Sequence, residues 1–128
     1  MPDDCLGLAG VPHPFPYQGS KRALAHAILR CLPEGTAALV EPFAGSAAVS
    51  IAARHCNIAR RVTISDVNGP LMDLWKRIVN DPVRLSDDYE ALWRDSLADP
   101  KAWFFAKRDE FNFTKDPAIL LYLLNRIV

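Results

Sequence analysis

The stretch Ala38-Leu39-Val40-Glu41-Pro42-Phe43-Ala44-Gly45-Ser46-Ala47-Ala48-Val49 decides how this chain is read. An apolar run reaches Glu41. Pro42, which has no N–H to donate, is expected to halt strand pairing there. Gly45 and Ser46 form a tight turn of small residues. Ala47, Ala48, Val49, Ile51 and Ala52 then read as a helix pressed against a sheet. The unit is strand, loop, helix, with a carboxylate at the strand's end and little side-chain bulk beyond it. Open α/β sheets bind ligands in such a crevice, at the carboxyl ends of parallel strands.

The elements on either side extend this pattern. Ala37–Glu41 is the first strand and Ala47–Cys56 the helix after it. Arg61-Val62-Thr63-Ile64-Ser65, β-branched and short, is a second strand that stops at Asp66. Two strands joined through a helix imply a right-handed parallel crossover. Upstream, Ser20 is expected to cap a helix whose apolar face is Ala23, Leu24, Ala27, Ile28 and Cys31, with Leu32 at its edge. Pro33 and Gly35 end it. Residues 1–14, with Pro2, Pro12 and Pro14 and with Gly7 and Gly10, read as an extended leader.

Downstream the periodicity turns helical throughout. Asn68 is placed to cap a helix carrying Leu71, Leu74, Trp75, Ile78 and Val79. Leu85, Tyr89, Leu92 and Trp93 share the face of another helix. Pro100 opens a third, running through Phe111, and Asp116-Pro117 opens a last one with Ile119, Leu120, Tyr122, Leu123 and Leu124. That helix reaches Ile127-Val128 with no Gly stop and no polar tail, which reads as a chain cut short. The class is α/β, with residues 15–80 as the ligand-binding part and residues 81–128 as a helical segment.

Composition narrows the partners. Fifteen basic residues balance fifteen acidic ones, and the isoelectric point is about 6.8. A free-standing nucleic-acid-binding domain is usually more basic, so a DNA contact surface is expected to lie mainly elsewhere. Cys5, Cys31 and Cys56 are odd in number and lack metal-ligand spacing. His13, His26 and His55 are scattered, and His55 beside Cys56 does not make a two-ligand site, because adjacent helical residues do not face each other. No metal is expected. The acidic start Met1-Pro2-Asp3-Asp4 lacks a secretory charge pattern. The apolar stretch from Ala118 to Leu124 is too short to span a bilayer. The expectation is a soluble, cytoplasmic protein.

Three short elements carry the possible chemistry. In Pro16-Tyr17-Gln18-Gly19-Ser20-Lys21, Gly19 permits a close turn and Lys21 sits in a first helical turn. A cation there opposes the helix dipole, which points to another job such as pairing with a carboxylate. Glu41-Pro42-Phe43-Ala44-Gly45-Ser46 lacks the three glycines of the dinucleotide fingerprint, so a ligand without a diphosphate fits better. Ser65-Asp66-Val67-Asn68 ends the second strand with a carboxylate able to accept both hydroxyls of a ribose. Each element also has a plain structural reading as a capped helix, a tight turn or an N-cap.

Taken together the three resemble the DNA adenine methylase family, which methylates adenine N6 with S-adenosylmethionine. Tyr17–Lys21 is similar to the family's N-terminal cofactor motif, Val40–Ser46 to its methionine-side loop, and Ile64–Asn68 to its ribose-binding strand end. Leu121-Tyr122-Leu123-Leu124-Asn125-Arg126 resembles the helix before its target-recognition region. The resemblance runs from Phe15 to Val128. It implies part of a Rossmann-like methyltransferase fold and contacts to S-adenosylmethionine from Tyr17, Lys21, Glu41, Phe43, Gly45 and Asp66. Lys21 would sit near the cofactor's charged end and Asp66 at its ribose. Ala47 stands where the family usually has Gly.

The resemblance also exposes an absence. The family's catalytic motif is Asp-Pro-Pro-Tyr or a near variant, and here the Asp-Pro pairs are followed by Val83, Lys101 and Ala118. Such an enzyme must flip adenine from the duplex and stack it, then orient N6 for in-line attack on the methyl sulfonium. No residue of this chain is therefore assigned as catalytic, and duplex DNA would be engaged through a region not in these residues. Three other readings stand beside an inactive fragment. One is a subunit complemented by a second polypeptide, one a methyltransferase for RNA or a small molecule, and one a gene remnant. The aromatics Trp103, Phe104, Phe105, Phe111 and Phe113 at helical spacing read as core rather than a base-stacking platform, and Asp87, Asp88 and Glu90 as a solvated face.

Overall fold

A computed structural model of the protein describes residues 9–126. Cys5, the Met1–Asp4 start and the Ile127-Val128 end lie outside the described residues. The chain forms two compact units that divide between Val67 and Asn68.

The first unit contains a 3-10 turn (Arg22–Leu24) leading into α1 (Ala25–Leu29), then β1 (Ala38–Pro42), α2 (Ala48–His55) and β2 (Arg61–Ser65). The strands pair in parallel, from Ala38 opposite Arg61 to Pro42 opposite Ser65. Pro42 does not halt the pairing as expected; it is the last residue of β1, where a missing N–H costs least. The strand thus ends one residue beyond the expected Glu41, because Phe43 turns the chain with φ +59°.

The helix α2 covers one face of the sheet, and α1 packs on α2. Val11, Ala25, Leu29, Val49, Ala52, Ala53 and Ala59 form the buried core, and Leu39 and Val62 press on it from the strands. The alanines let the elements approach closely. The buried face of α1 differs from expectation. Ala25 and Leu29 are buried, Ile28 and Leu32 half-buried, and Ala23, Leu24, Ala27 and Cys31 exposed. The 3-10 start, at about three residues per turn, rotates the face away from the register that a continuous α-helix gives. The other sheet face is open: Ala38, Val40, Pro42, Arg61, Thr63 and Ser65 alternate outward, with Val40 63% exposed.

Local chemistry closes each end. Asn57 ends α2 in the left-handed region at φ +54°, and the Ile58 amide reaches back to the Ala53 carbonyl at 2.9 Å. Arg54 fixes the approach to β2 by donating to the Ala59 and Arg60 carbonyls. Residues 9–16 are pinned to the unit. Val11 and Phe15 are buried, and the Arg22 guanidinium donates to the Val11 and Pro12 carbonyls at 2.8 and 3.1 Å.

The second unit is helical: α3 (Gly69–Asn80), α4 (Pro82–Asp95), α5 (Pro100–Thr114) and α6 (Pro117–Leu124). All four carry Pro in the first turn, where its missing N–H is not needed. The Asp-Pro pairs are helix starts, as their sequence reads. Asp116 caps α6 by accepting from the Ala118 and Ile119 amides, Asp99 caps α5 through the Ala102 amide, and Asn68 caps α3 through Leu71. The short α6 touches the other three helices. Its Ile119, Tyr122 and Leu123 are buried against Tyr89, Leu92, Trp103, Phe104 and Phe111. Val79, Trp93, Phe105 and Phe113, expected inside, are exposed. No described helix is long and apolar enough to cross a membrane.

Candidate functional site

The carboxyl ends of β1 and β2 lie side by side, so the loops that follow them meet at one end of the sheet. Glu41 is paired in register with Ile64, and Asp66 follows the last paired residue, Ser65. This places two carboxylates at neighbouring strand ends in the first unit.

Each carboxylate holds a backbone amide. Glu41 Oε2 accepts from the Ser50 N–H at 2.9 Å, which satisfies an orphan donor in the first turn of α2. The helix has no other side-chain cap, because Ala47 stands at the N-cap position. Asp66 Oδ2 accepts from the Gly45 N–H at 3.0 Å. The adjacent Ala44 N–H donates to the Ser65 carbonyl at 2.9 Å. The loop after β1 is therefore hung from the end of β2.

Three residues of that loop sit in the left-handed region: Phe43 at φ +59°, Gly45 at +52° and Ala47 at +50°. For Gly45 the conformation is cheap. For Phe43 and Ala47 it costs roughly 1–2 kcal/mol each. The bent path leaves Phe43 85% exposed at the sheet's end, while Ala44, Gly45, Ser46 and Ala47 are buried behind it.

The Tyr17–Lys21 segment folds against this loop. The Ser20 N–H donates to the Tyr17 carbonyl at 3.1 Å, closing a turn with Gly19 at φ +79°. The Tyr17 ring lies edge-on to the buried Phe15 ring, with centroids 6.3 Å apart. It also covers Gly45 so closely that a Cβ there would fall 2.9 Å from Tyr17 Cε1. Ser46 Oγ donates to Ser20 Oγ at 2.9 Å.

The structure thus brings Tyr17, Gly45 and Asp66 together and sets Glu41 beside them at the base of α2. Phe43 projects outward from the same loop. Lys21 behaves differently from expectation. It precedes the 3-10 turn, is exposed, and donates through Nζ to the Gly19 carbonyl at 2.7 Å rather than to a carboxylate. Ser20 does not cap an α-helix; its hydroxyl accepts from the Arg22 N–H at 3.3 Å at the head of the 3-10 turn. The sequence marks Ser46 only as a turn residue and marks no role for Ser50 or Arg22. Nothing in their spacing marks them, since their partners lie 26, 9 and 10–11 residues away. Among the described residues, no three His, Cys, Asp or Glu side chains gather into a metal site.

The family model for D12 class N6 adenine-specific DNA methyltransferases matches residues 17–128. The chain is 30% identical over 115 residues to the retron Ec67 DNA adenine methylase of Escherichia coli, covering 86% of this chain and 38% of that protein. It is 26% identical over 113 residues to the DNA adenine methylase of Haemophilus influenzae (strain ATCC 51907 / DSM 11121 / KW20 / Rd), again 86% and 38%. The chain spans less than two fifths of either relative, and the region matched by the family model includes all three segments that meet at the sheet's end. On this match, nearly the whole chain belongs to the D12 class N6 adenine-specific DNA methyltransferase family.

Proposed function

We propose that this chain is the S-adenosylmethionine-binding portion of an adenine-N6 DNA methyltransferase, built on part of a Rossmann-like sheet. The observation that carries the reading is the hydrogen bond from Gly45 to Asp66, which holds the loop after β1 against the carboxylate ending β2. The groups at this end match the parts of the cofactor. Asp66 offers a carboxylate to ribose hydroxyls, Glu41 offers one to an ammonium, Lys21 offers a cation to a carboxylate, and the exposed Phe43 ring offers a face to a purine. Gly45 keeps the loop free of side-chain bulk. When bound, the cofactor supplies a methyl group on a sulfonium. The chain's own residues bind and orient that donor.

No residue here is assigned to orienting adenine, because no Asp-Pro-Pro-Tyr element occurs in these 128 residues. Methyl transfer to duplex DNA therefore requires more polypeptide than this. The open sheet face with Val40 63% exposed favours a complementing polypeptide, since parallel sheets are usually covered on both faces.

Calorimetric titration with S-adenosylhomocysteine tests the binding role. Saturable binding that is lost in Asp66→Ala and weakened in Phe43→Ala is expected. Absence of binding, or binding indifferent to both substitutions, overturns it. Transfer of labelled methyl groups to duplex DNA by the chain alone would overturn the assignment of catalysis to further polypeptide.

A further inference from the structure

We infer that Ser20 and Ser46 form a latch that positions the two turn segments of the cofactor site against each other, an inference that rests on the binding role proposed above. Ser46 is 3% exposed, and its hydroxyl donates to Ser20 Oγ at 2.9 Å across 26 residues of chain. The two side chains belong to the two loops, not to the strands beneath them. Ser20 closes the turn that carries Tyr17 and precedes Lys21. Ser46 follows Gly45, whose amide is held by Asp66.

The three candidate segments are thereby joined in series. Ser20 holds Ser46, Ser46 adjoins Gly45, and Gly45 holds Asp66. The Tyr17 ring against Gly45 supplies an apolar contact beside the polar one. A hydroxyl pair suits this role because serine side chains are short. Their bond survives only small displacements, whereas long charged side chains would tolerate wide ones. Burial strengthens the constraint, because a buried hydroxyl without a partner is costly. The loops themselves have left-handed joints at Gly19, Phe43, Gly45 and Ala47, so a tie between them sets a separation that neither loop sets alone. Ser20 and Ser46 are positioning residues, acting on the ligand through Tyr17, Lys21, Phe43 and Asp66.

The test is a double-mutant cycle on the 128-residue chain, titrated with S-adenosylhomocysteine. Ser46→Ala and Ser20→Ala are each expected to weaken binding by about five- to tenfold. The double variant should bind no more weakly than Ser20→Ala, because Ser20→Ala already removes the bond that Ser46→Ala removes, together with the Arg22 amide's acceptor. Ser20→Thr, which keeps the hydroxyl, should bind within about threefold of the parent. Parental affinity in Ser46→Ala, or additive losses in the double variant, overturns the latch. Amide hydrogen exchange without ligand gives a second readout. Ser46→Ala should speed exchange at Ser20 and Arg22 as well as at Gly45 and Ala47; acceleration confined to residues 44–48 overturns the tie. A parent chain that binds no S-adenosylhomocysteine overturns the binding role and the latch's action on ligand together. The exchange measurement then still decides whether the loops are tied.

Discussion

The amide of Gly45 points at the carboxylate of Asp66, 3.0 Å from Oδ2, although 21 residues separate them in the chain. This bond makes the strand-end carboxylate a structural member of the loop it faces. Asp66→Ala should therefore lower stability, by about 1–3 kcal/mol as expected for a charged acceptor removed from a partly buried donor. Asp66→Asn, which keeps an acceptor without the charge, should lose less than half as much. Urea denaturation of the three proteins decides it, and equal stability of parent and Asp66→Ala would count against the bond.

Glu41 acts on α2 from outside the helix. Its carboxylate takes the Ser50 amide, the role an N-cap side chain would have if Ala47 could supply one. Glu41→Ala should cost about 0.5–2 kcal/mol and speed amide exchange in the first turn of α2. Glu34, an exposed carboxylate before β1, serves as the control, and its replacement by Ala should change neither quantity.

At Gly45 the backbone and the neighbouring ring make the same demand. An added Cβ would meet a left-handed φ of +52° and the Tyr17 ring at 2.9 Å. Gly45→Ala should destabilise by about 1–3 kcal/mol. Tyr17→Ala in the same chain should recover the steric part of that loss and leave the backbone part. Additive effects of the two substitutions would show that the ring does not confine Gly45.

Ala47 and Ala53 are both buried, at 1% and 0% exposure, yet they should respond differently to glycine. Ala47 is left-handed at φ +50°, so relief of its strain offsets the lost methyl group and the added freedom of the unfolded chain. Ala47→Gly should stay within about 1 kcal/mol of the parent. Ala53 lies inside α2 in the core, where no strain is relieved, and Ala53→Gly should cost about 1–2 kcal/mol. Thermal or urea unfolding ranks the two.

In the helical unit, Asp116 takes two amides at the head of α6, and α6 is the helix the other three share. Asp116→Ala should cost about 1–2 kcal/mol and Asp116→Asn only a few tenths. Circular dichroism through a urea titration reads both.

Local chemistry made most of the elements legible. β2 runs from Arg61 to Ser65 as its β-branched residues dictate, and the Asp-Pro pairs start helices because the proline's fixed φ, joined at Asp99 and Asp116 by a side-chain cap, acts within two or three residues. Faces were less legible. In α1 a 3-10 first turn moved the buried stripe onto Ala25 and Leu29, and periodicity counted at 3.6 residues per turn has no means of registering that. Val79 and Trp93 fit the helical period and are exposed all the same, because a stripe wider than its neighbour leaves an edge in solvent.

The candidate site divides along the same line. The residue types at the site are local information: a carboxylate at each strand end, a glycine in each turn, and small residues between. What those residues do to one another depends on contacts made only in the folded chain. Parallel pairing of β1 with β2 brings Asp66 to Gly45, and the folding of the Tyr17–Lys21 segment against the loop sets the Tyr17 ring on that glycine and joins Ser46 to Ser20. Those contacts span 21 to 28 positions of chain, beyond the reach of any local propensity, because each joins segments that only the folded chain brings together.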